Sequence, residues 1–340
     1  MVKMGVIGAG RMAMVHIRGI VRGISNIKIK SVADPYMPDA TKAELKALGI
    51  ENTFKDHRSI LDDPDIQAVL IASSTDTLAQ FSVESLRAGK HTFCEKPVGR
   101  TIQSIMPVVQ AVDSYPDLKY QVGFNRRFDH NFHALYDAVK EGKLGKLHFL
   151  RICSRDSVTP PQSYVRISGG IFLDMMIHDI DLIRFFAQSD VEEVYAIGNV
   201  LIDQYFEDEG DVDTAIVTLK FRNGAMGVID NSRKAVYGYD QRAEIHGSLG
   251  CAELNNDMKN SVNVLTAAGI HNEGPVWDTL DRYIAAYKSE MISFIHAIEN
   301  DLTTQVTIYD SLQAVVTGLA CKKSLHERRP VKLSEILEGI

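Results

Sequence analysis

Short apolar segments alternate with longer helical segments through the first 124 residues of the chain, and this alternation restricts the fold more than any other feature. Residues 68–72 read Ala-Val-Leu-Ile-Ala, as expected for a strand that is buried on both faces of a sheet. Strands that alternate with helices form a parallel, doubly wound sheet. We therefore predict an α/β domain over residues 1–122.

Hairpin signals distinguish the second half of the chain. Asn223-Gly224 separates two strand-like segments, at 212–221 and 225–231, and Asn-Gly in this position is typical of a tight hairpin. The turn at 247–250 separates two further strand-like segments. Hairpins indicate antiparallel pairing, so we predict an α+β domain with a largely antiparallel, open sheet over residues 123–340.

A glycine motif follows the first apolar segment and opens the first helical segment. It reads Gly8-Ala9-Gly10-Arg11-Met12-Ala13. The first glycine permits a tight turn, the second lets the backbone approach a pyrophosphate, and the small Ala13 lets helix and strand pack. The motif alone is weak, because a glycine turn occurs in many α/β proteins. In this context it predicts a Rossmann dinucleotide-binding turn, with Gly8, Gly10, Arg11 and Met12 at the cofactor.

An acidic residue, Asp34, ends the second strand-like segment. A carboxylate there can accept hydrogen bonds from the ribose hydroxyls and repels a 2′-phosphate. Asp34-Pro35 is also a common turn sequence. Because strand, glycine turn, helix, strand and acid occur in that order, we predict that the cofactor is NAD and that Asp34 binds its ribose.

Lys96 follows the fifth strand-like segment, within Glu95-Lys96-Pro97. In an open parallel sheet, ligands lie beyond the carboxyl ends of the strands. Lys96 is therefore expected near the nicotinamide, and a solvated surface lysine is the alternative interpretation.

Residues 171–187 are apolar nearly all round, which predicts one buried helix. Asp174, His178 and Asp181 would then lie on one face of it. Polar groups on a buried helix are costly unless they line a cavity or find partners, and a stripe that faces water is the alternative. A histidine beside a carboxylate is the usual unit for proton transfer.

These residues together predict alcohol oxidation. The reaction requires a hydride acceptor, a base for the hydroxyl proton and a positive group beside the developing alkoxide. NAD, His178 and Lys96 fill these roles, and Asp174 fixes the histidine tautomer. These roles require no metal, and the sequence has neither an H-E-x-x-H motif nor a cysteine cluster.

Composition excludes several other classes of protein. The net charge is -7, so the chain has no field that attracts nucleic acid or an anionic membrane surface. No apolar run reaches the length of a membrane span, and the N-terminus does not resemble a signal peptide. The four cysteines are far apart, which is typical of reduced buried thiols. We expect a cytoplasmic enzyme.

Several of these segments resemble the glucose-fructose oxidoreductase/inositol dehydrogenase family. The resemblance rests on the glycine motif, Glu95-Lys96-Pro97, Gly123-Phe124-Asn125-Arg126-Arg127-Phe128-Asp129, Asp174-x-x-x-His178-x-x-Asp181, Tyr237-Gly238-Tyr239-Asp240 and Tyr283-Ile284-Ala285-Ala286-Tyr287. The stretches at 123–129 and 237–240 look like the inositol dehydrogenase branch.

The resemblance implies NAD-dependent oxidation of myo- or scyllo-inositol to the keto-inositol, in inositol catabolism. It implies catalytic roles for Lys96, Asp174 and His178, and a homotetramer built through the open face of the second-domain sheet. It also implies substrate-binding and further cofactor-binding positions. The substrate-binding residues are Arg126, Asp156, Asp181 and Tyr239, and the further cofactor-binding residues are Ser73, Ser74, Thr75, Glu95 and Lys96.

The sequence departs from the family pattern at two positions, and several alternatives for the function stay open. Leu78 stands where many members carry histidine, and Asp156 stands where a relative has asparagine, which leaves the stereoisomer open. An aldose dehydrogenase of the same family is the first alternative, and a non-catalytic NAD-binding sensor or co-regulator is the second. The direction of the reaction in the cell, the exact oligomeric state and the choice of Lys96 or His178 as proton acceptor also stay open.

Two short stretches allow local predictions. If Arg126 and Arg127 lie on an extended segment, their side chains point opposite ways and at most one reaches the pocket. On a strand, Tyr237 and Tyr239 share a face, where packing explains them as well as substrate contact does.

Overall fold

The computed structural model describes residues 1–338, and its N-terminal part consists of alternating strands and helices. The strands are β1 Val2–Ile7, β2 Ile27–Ala33, β3 Asn52–Phe54, β4 Ala68–Ile71, β5 His91–Cys94 and β6 Tyr120–Val122. The helices are α1 Arg11–Gly23, α2 Asp39–Ala47, α3 Arg58–Leu61, α4 Thr75–Arg87 and α5 Ile102–Ser114, and a 3-10 helix follows at Asn125–Phe128.

The remainder of the described chain begins with a helix and then brings strands together in hairpins. Its helices are α6 His130–Lys140, α7 Gln162–Ser168, α8 Ile171–Asp174, α9 Ile177–Ala187, α10 Tyr205–Asp208, α11 Thr279–Glu299, α12 Ile308–Glu327 and α13 Ser334–Leu337. Its strands are β7 Leu147–Arg155, β8 Val191–Asn199, β9 Thr214–Phe221, β10 Met226–Ser232, β11 Asp240–Gly247, β12 Gly250–Leu254, β13 Asn263–Thr266, β14 Gly269–Asn272 and β15 Val331–Lys332.

The chain divides into two compact units. Unit 1 comprises Met1–Phe128 and Ile284–Val315, and unit 2 comprises Asp129–Tyr283 and the chain from Val316 onward. The long helices α11 and α12 therefore contribute to both units. The predicted assignment of cofactor binding to residues 1–122 and of substrate binding and oligomerisation to 123–340 stays a prediction, and its last two residues lie outside the described part.

Unit 1 contains the predicted Rossmann sheet. Its strands are all parallel, in the order β3-β2-β1-β4-β5-β6, which is the doubly wound order of dinucleotide-binding folds. Val6 and Leu70, on the two central strands, are fully buried. Met291 and Phe294 of α11 join the same apolar core, and burial of each such side chain contributes about 1.5–3 kcal/mol. This packing explains why a late segment of the chain belongs to the first unit.

Unit 2 contains a mixed sheet in the order β12-β11-β7-β10-β9-β8-β15. The β7–β10 pair is parallel and the other pairs are antiparallel, which confirms the predicted largely antiparallel sheet. Helix α9 packs against β7 and β10 on one face. Strand β8 was not predicted from the sequence. Among residues 1–338, no helix is both long and apolar enough to cross a membrane.

The predicted single helix over 171–187 is wrong. Helix α8 ends at Asp174 and α9 begins at Ile177. At the break, the Ile171 carbonyl accepts hydrogen bonds from both the Met175 and Met176 N–H groups, at 3.2 and 2.8 Å. The second bond spans five residues, so the turn is wider than an α-helical turn. The helical spacing that related Asp174 to His178 therefore does not apply.

The backbone conformations on which the two local predictions depend are not present. Arg126 and Arg127 lie in the 3-10 helix, not on an extended segment, and both are buried. Tyr237 is 47% exposed whereas Tyr239 is 4% exposed, because Gly238 between them has a φ of 129° and breaks the strand alternation.

Candidate active site

The predicted cofactor-binding residues of unit 1 gather at one edge of its sheet. Strands β1, β2, β4 and β5 are parallel, so their carboxyl ends lie at the same edge. Gly8, Asp34 and Glu95 each directly follow one of these strands, and Ser73 follows β4 by two residues. The reversal of strand order between β1 and β4 is where such sheets bind their ligands.

The two glycines of the motif have different reasons to be glycine. Gly8 has a φ of 102°, and a Cβ there would lie 2.5 Å from the Ala72 carbonyl oxygen. The fold of unit 1 therefore excludes a side chain at Gly8. A Cβ at Gly10 would meet no atom within 4 Å among the described residues. Gly10 caps α1, so its open surroundings leave room for a phosphate close to the helix N-terminus.

Asp34 is tied to the glycine turn. Its Oδ2 accepts a hydrogen bond from the Ala9 N–H at 2.8 Å, and its Oδ1 accepts one from the Tyr36 N–H at 2.7 Å. A carboxylate oxygen can accept two hydrogen bonds, so each oxygen retains the capacity to bind a ribose hydroxyl. Asp34 thus orders the turn and can also bind an adenosine ribose, which fits NAD.

The loop after β4 leads into α4. Ser73 Oγ lies 2.8 Å from Thr77 Oγ1, Ser74 is the N-cap residue and Thr75 is the first helical residue. Leu78, where many relatives were expected to carry histidine, is 1% exposed and belongs to the interior of unit 1. A leucine at this position therefore contributes packing rather than a polar contact.

Glu95 and Lys96 leave β5 at the same edge. Glu95 is 7% exposed, and its Oε1 lies 2.7 Å from His16 Nε2. Its Oε2 accepts a hydrogen bond from the Lys96 N–H at 3.2 Å. The Lys96–Pro97 peptide bond is cis. The hydrogen bond to the buried Glu95 carboxylate fixes the backbone of Lys96, whose side chain is half-buried.

Asp174 is the centre of the polar cluster in unit 2. Its Oδ1 accepts a hydrogen bond from the Tyr164 hydroxyl at 2.8 Å, and its Oδ2 accepts one from Arg233 Nη1 at 3.0 Å. The same Nη1 lies 3.7 Å from Asp156 Oδ2. Arg233 thus joins two of the predicted residues, Asp156 and Asp174, through one guanidinium group.

Sequence reasoning missed Arg233. It follows β10 in the stretch Asn-Ser-Arg-Lys, where nothing distinguishes it from a surface cation, yet it is only 3% exposed. Burial alone would lower its pKa, but the carboxylates of Asp174 and Asp156 outweigh that effect and raise it. Arg233 therefore stays cationic and stabilises both aspartates as anions.

The other predicted residues of unit 2 have distinct environments. His178 is half-buried on α9, and Asp181, one turn later, is 1% exposed. The neighbouring Asp179 is fully buried and accepts a hydrogen bond from Asn231 Nδ2 at 2.9 Å. The Tyr239 ring packs edge-on against the ring of Tyr283, with centroids 6.0 Å apart. Arg126 belongs to unit 1.

Comparison with known proteins identifies both parts of the chain. Residues 2–124 match an oxidoreductase family with an NAD-binding Rossmann fold, and residues 132–253 match the GFO/IDH/MocA C-terminal domain. The chain belongs to the GFO/IDH/MocA oxidoreductase family. The predicted family and the predicted cofactor, NAD, are therefore confirmed.

This family member is similar over nearly its whole length to proteins of known name. It is 41% identical to the myo-inositol 2-dehydrogenase of Thermotoga maritima, over 98% of this chain and 99% of that protein. It is 38% identical to the inositol 2-dehydrogenase of Rhizobium meliloti, with the same coverage. The scyllo-inositol dehydrogenase of Lactobacillus casei, solved with NAD(H) and scyllo-inositol, superposes with a TM-score of 0.91 at 30% identity, over 98% of this chain and 99% of that one.

The cysteines of this oxidoreductase take no part in the clusters above. Cys94 and Cys153 are buried, and burial raises the pKa of each thiol to about 12. Both thiols are therefore protonated and unreactive at neutral pH. Cys251 is exposed, in contrast to the expectation that the thiols are buried.

Proposed function

We propose that this oxidoreductase oxidises an inositol, myo- or scyllo-, to the corresponding keto-inositol with NAD. The observation that carries the proposal is the 41% identity, over 98% of the chain, to a protein named myo-inositol 2-dehydrogenase. The similarity to a scyllo-inositol dehydrogenase argues for a cyclitol but leaves the stereoisomer open. The acidic residues around Arg233 suit a substrate with many hydroxyl groups, because each hydroxyl can both donate and accept a hydrogen bond.

We assign the proton transfer to His178 and Asp174. When bound, NAD supplies the hydride acceptor for the reaction. A ring nitrogen of His178 accepts the proton of the substrate hydroxyl, and Asp174 stabilises the imidazolium that forms. The Tyr164 and Arg233 hydrogen bonds hold Asp174 as an anion in one orientation, which supports this role. Lys96 supplies the positive charge beside the developing alkoxide.

We assign recognition of the remaining hydroxyls to Arg126, Asp156, Asp181 and Tyr239. Asp156 lies 3.7 Å from Arg233 Nη1, so its charge is compensated and it can accept a hydrogen bond from a substrate hydroxyl without an unpaired buried anion. In unit 1, Gly10, Arg11 and Met12 at the start of α1, Asp34, the residues 73–75 and the Glu95-Lys96 pair are assigned to NAD.

The test is the formation of NADH from a panel of substrates. The panel contains myo-inositol, scyllo-inositol, the chiro-inositols and a set of pyranoses, each with the wild-type enzyme and with His178→Ala. We expect turnover of at least one cyclitol, and loss of that turnover in the variant. Turnover of a pyranose alone would favour an aldose dehydrogenase. Tight NADH binding with no turnover of any compound would favour the non-catalytic sensor.

We also propose that the open face of the unit 2 sheet forms a subunit interface in a homotetramer. A groove of about 410 Å³ on this face is lined by apolar and charged side chains, including Phe149, Ile216 and Val228. Ile216 is 46% exposed, and exposed apolar side chains with charged residues around them are typical of an interface. Light scattering of the wild type should give a tetramer mass, and Ile216→Arg should lower it. A monomeric wild type would contradict this proposal.

A further inference from the structure

Unit 1 encloses a cluster of three titratable side chains behind the Glu95-Lys96 pair. His16 of α1, Glu95 after β5 and Glu290 of α11 lie with their ligand-type atoms within 4.8 Å of one another. His16 and Glu290 are 2% and 0% exposed. None of the reaction steps assigned above uses His16 or Glu290, so the cluster requires its own explanation.

The hydrogen bonds of the cluster are unevenly distributed. His16 Nε2 lies 2.7 Å from Glu95 Oε1 and 3.9 Å from Glu290 Oε1. Within residues 1–338, neither carboxyl oxygen of Glu290 has a hydrogen-bond partner, and His16 Nδ1 has none either. A proton on His16 Nε2, donated to Glu95, satisfies the short contact and leaves Nδ1 without a buried unpaired N–H. Glu95 is then the anion of the cluster.

A second buried anion at Glu290 would be costly. Isolated ionised carboxylates are not tolerated in a protein interior unless they are paired. The basic side chain that faces Glu290, His16, makes its short hydrogen bond to Glu95 instead, at 2.7 Å against 3.9 Å to Glu290. The titratable groups that face it are His16 and Glu95, while Tyr287 of its own helix packs its ring against His16 at 5.6 Å. Burial, and then the charge of Glu95, raise the pKa of Glu290 well above its ordinary value of 4.5.

The cluster connects directly to Lys96. Glu95 Oε1 is held by His16, and Glu95 Oε2 accepts the Lys96 N–H at 3.2 Å. On the far side of the carboxylate, a Cβ at Gly123 would lie 3.2 Å from Oε2, so little space is left for the group to move. The position of Glu95 therefore fixes the backbone from which the Lys96 side chain extends.

We propose that Glu290 retains its proton over the working pH range of the enzyme. Glu95 is then the one anion of the three-residue cluster. His16 holds the Glu95 carboxylate in place, and that carboxylate in turn holds the Lys96 backbone. His16, Glu95 and Glu290 are thus positioning residues. The expected effect of this cluster on turnover rests on the proposed role of Lys96. The protonation state of Glu290 does not, because it can be measured without any reaction. A divalent cation held by the three side chains is the competing explanation, but it would require an unprotonated Nε2 on His16, whereas the hydrogen bond to Glu95 requires a proton on that nitrogen.

Infrared spectroscopy of the whole enzyme tests the protonation state. The difference spectrum of wild type minus Glu290→Gln at neutral pH should contain the carbonyl band of a protonated carboxylic acid. A carboxylate band in its place would overturn the proposal. Elemental analysis of the same samples covers the competing explanation. Stoichiometric metal in the wild type that is lost in the variant would also overturn it.

Stability against pH is the second readout. Glu290 is ionised in the unfolded chain above about pH 4.5 but protonated in the fold, so its stabilising effect is complete below that pH and is lost as the pH rises towards the folded pKa. The ratio of the unfolding equilibrium constants, wild type over Glu290→Gln, should therefore rise by about tenfold per pH unit in this window. Glu299→Gln, an exposed glutamate on the same helix, is the matched control and should leave the ratio flat. A flat ratio for Glu290→Gln would contradict the proposal.

Rescue by a conservative variant tests the positioning role. The His16→Gln amide can still donate to Glu95, whereas His16→Leu cannot. We expect His16→Leu to lower kcat by about ten- to hundredfold with little change in NADH affinity, and His16→Gln to recover much of that loss. Equal losses in both variants would overturn the positioning role. If the wild type turns over no cyclitol, the proposed function fails, while the infrared and stability results still decide the state of Glu290.

Discussion

Arg233 Nη1 lies 3.0 Å from Asp174 Oδ2, and this contact joins a buried cation to the carboxylate that we assign to the catalytic dyad. Arg233 is 3% exposed and Asp156 lies 3.7 Å from the same nitrogen. One guanidinium thus compensates two carboxylates. A neutral or displaced Asp174 could not support an imidazolium at His178, so the contact links the folding of unit 2 to its proposed chemistry.

Removing the guanidinium should therefore affect both stability and turnover. Arg233→Met leaves Asp174 and Asp156 without their cation in a largely buried cluster, and breaking such a pair costs about 3 kcal/mol. We expect that loss in the free energy of unfolding, measured by urea denaturation, together with a lower kcat. Arg233→Lys keeps the positive charge but not the planar guanidinium group, so its free energy of unfolding and its kcat should lie between those of the wild type and of Arg233→Met. A free energy of unfolding of Arg233→Met equal to that of the wild type would show that the fold does not need the guanidinium group beside Asp174 and Asp156.

Substitutions of His178 and Asp174 should lower kcat to different extents. His178→Ala should lower kcat by about two to four orders of magnitude, the usual range for loss of a positioned base. Asp174→Asn should cause a smaller defect, because it keeps the packing and loses only the orientation and charge. NADH affinity, measured by fluorescence titration, should be unchanged in both. Near-wild-type turnover in His178→Ala would instead point to Lys96 as the proton acceptor.

Much of the fold could be predicted because local patterns and tertiary packing agree. Strand β4 lies within the apolar stretch 68–72 that predicted it, because a strand buried on both faces of a sheet is apolar at every position. The prediction of one helix over 171–187 is wrong because of the local backbone geometry at the break. Hydrophobic periodicity cannot report that the Ile171 carbonyl accepts two N–H groups and widens one turn, because the apolar pattern is the same on both sides of the break.

The place of a candidate residue in the fold could be predicted where a motif fixes it. The places of Gly8, Asp34 and Glu95 directly after parallel strands were predicted from the sequence. Arg233 and Glu290 were not, since their roles depend on burial and on partners far away in the chain. Glu290 is fully buried only because α11 returns to the Rossmann core, and nothing in its local sequence indicates that.

Cofactor preference should depend on the charge of Asp34. Asp34→Asn keeps an oxygen that can accept the Ala9 N–H but removes the repulsion of a 2′-phosphate, so it should raise kcat/KM for NADP with little loss of stability. Asp34→Ser combined with Tyr36→Arg should invert the preference, because Tyr36 is 90% exposed and an arginine there is free to bind the phosphate. Equal use of both cofactors by the wild type would contradict the placement of Asp34 at the ribose.

Acid stability of unit 2 should depend on Asp240. Burial opposes its ionisation, but hydrogen bonds from Arg242, Tyr237 and Asn256 outweigh burial and lower its pKa from 3.8 to about 2. The stabilisation is present above pH 3.8 and is lost as the pH falls towards 2. The free energy of unfolding of Asp240→Asn should therefore be up to about 2 kcal/mol lower than that of the wild type at neutral pH, and this difference should disappear on acidification. The exposed Asp281→Asn is the control, and a gap that stays constant with pH would rule out this role.

The transfer of one hydrogen tests the central claim most directly. Myo-inositol deuterated at C2 is incubated with the enzyme and NAD, and the reduced cofactor is analysed by mass spectrometry, with scyllo-inositol deuterated at all six ring carbons in parallel. Oxidation of the cyclitol by direct hydride transfer predicts NADH that carries one deuterium atom from the ring carbon, and His178→Ala should slow its appearance without changing the label. Unlabelled NADH from both substrates, or no reduction of NAD by either, would contradict the proposed function.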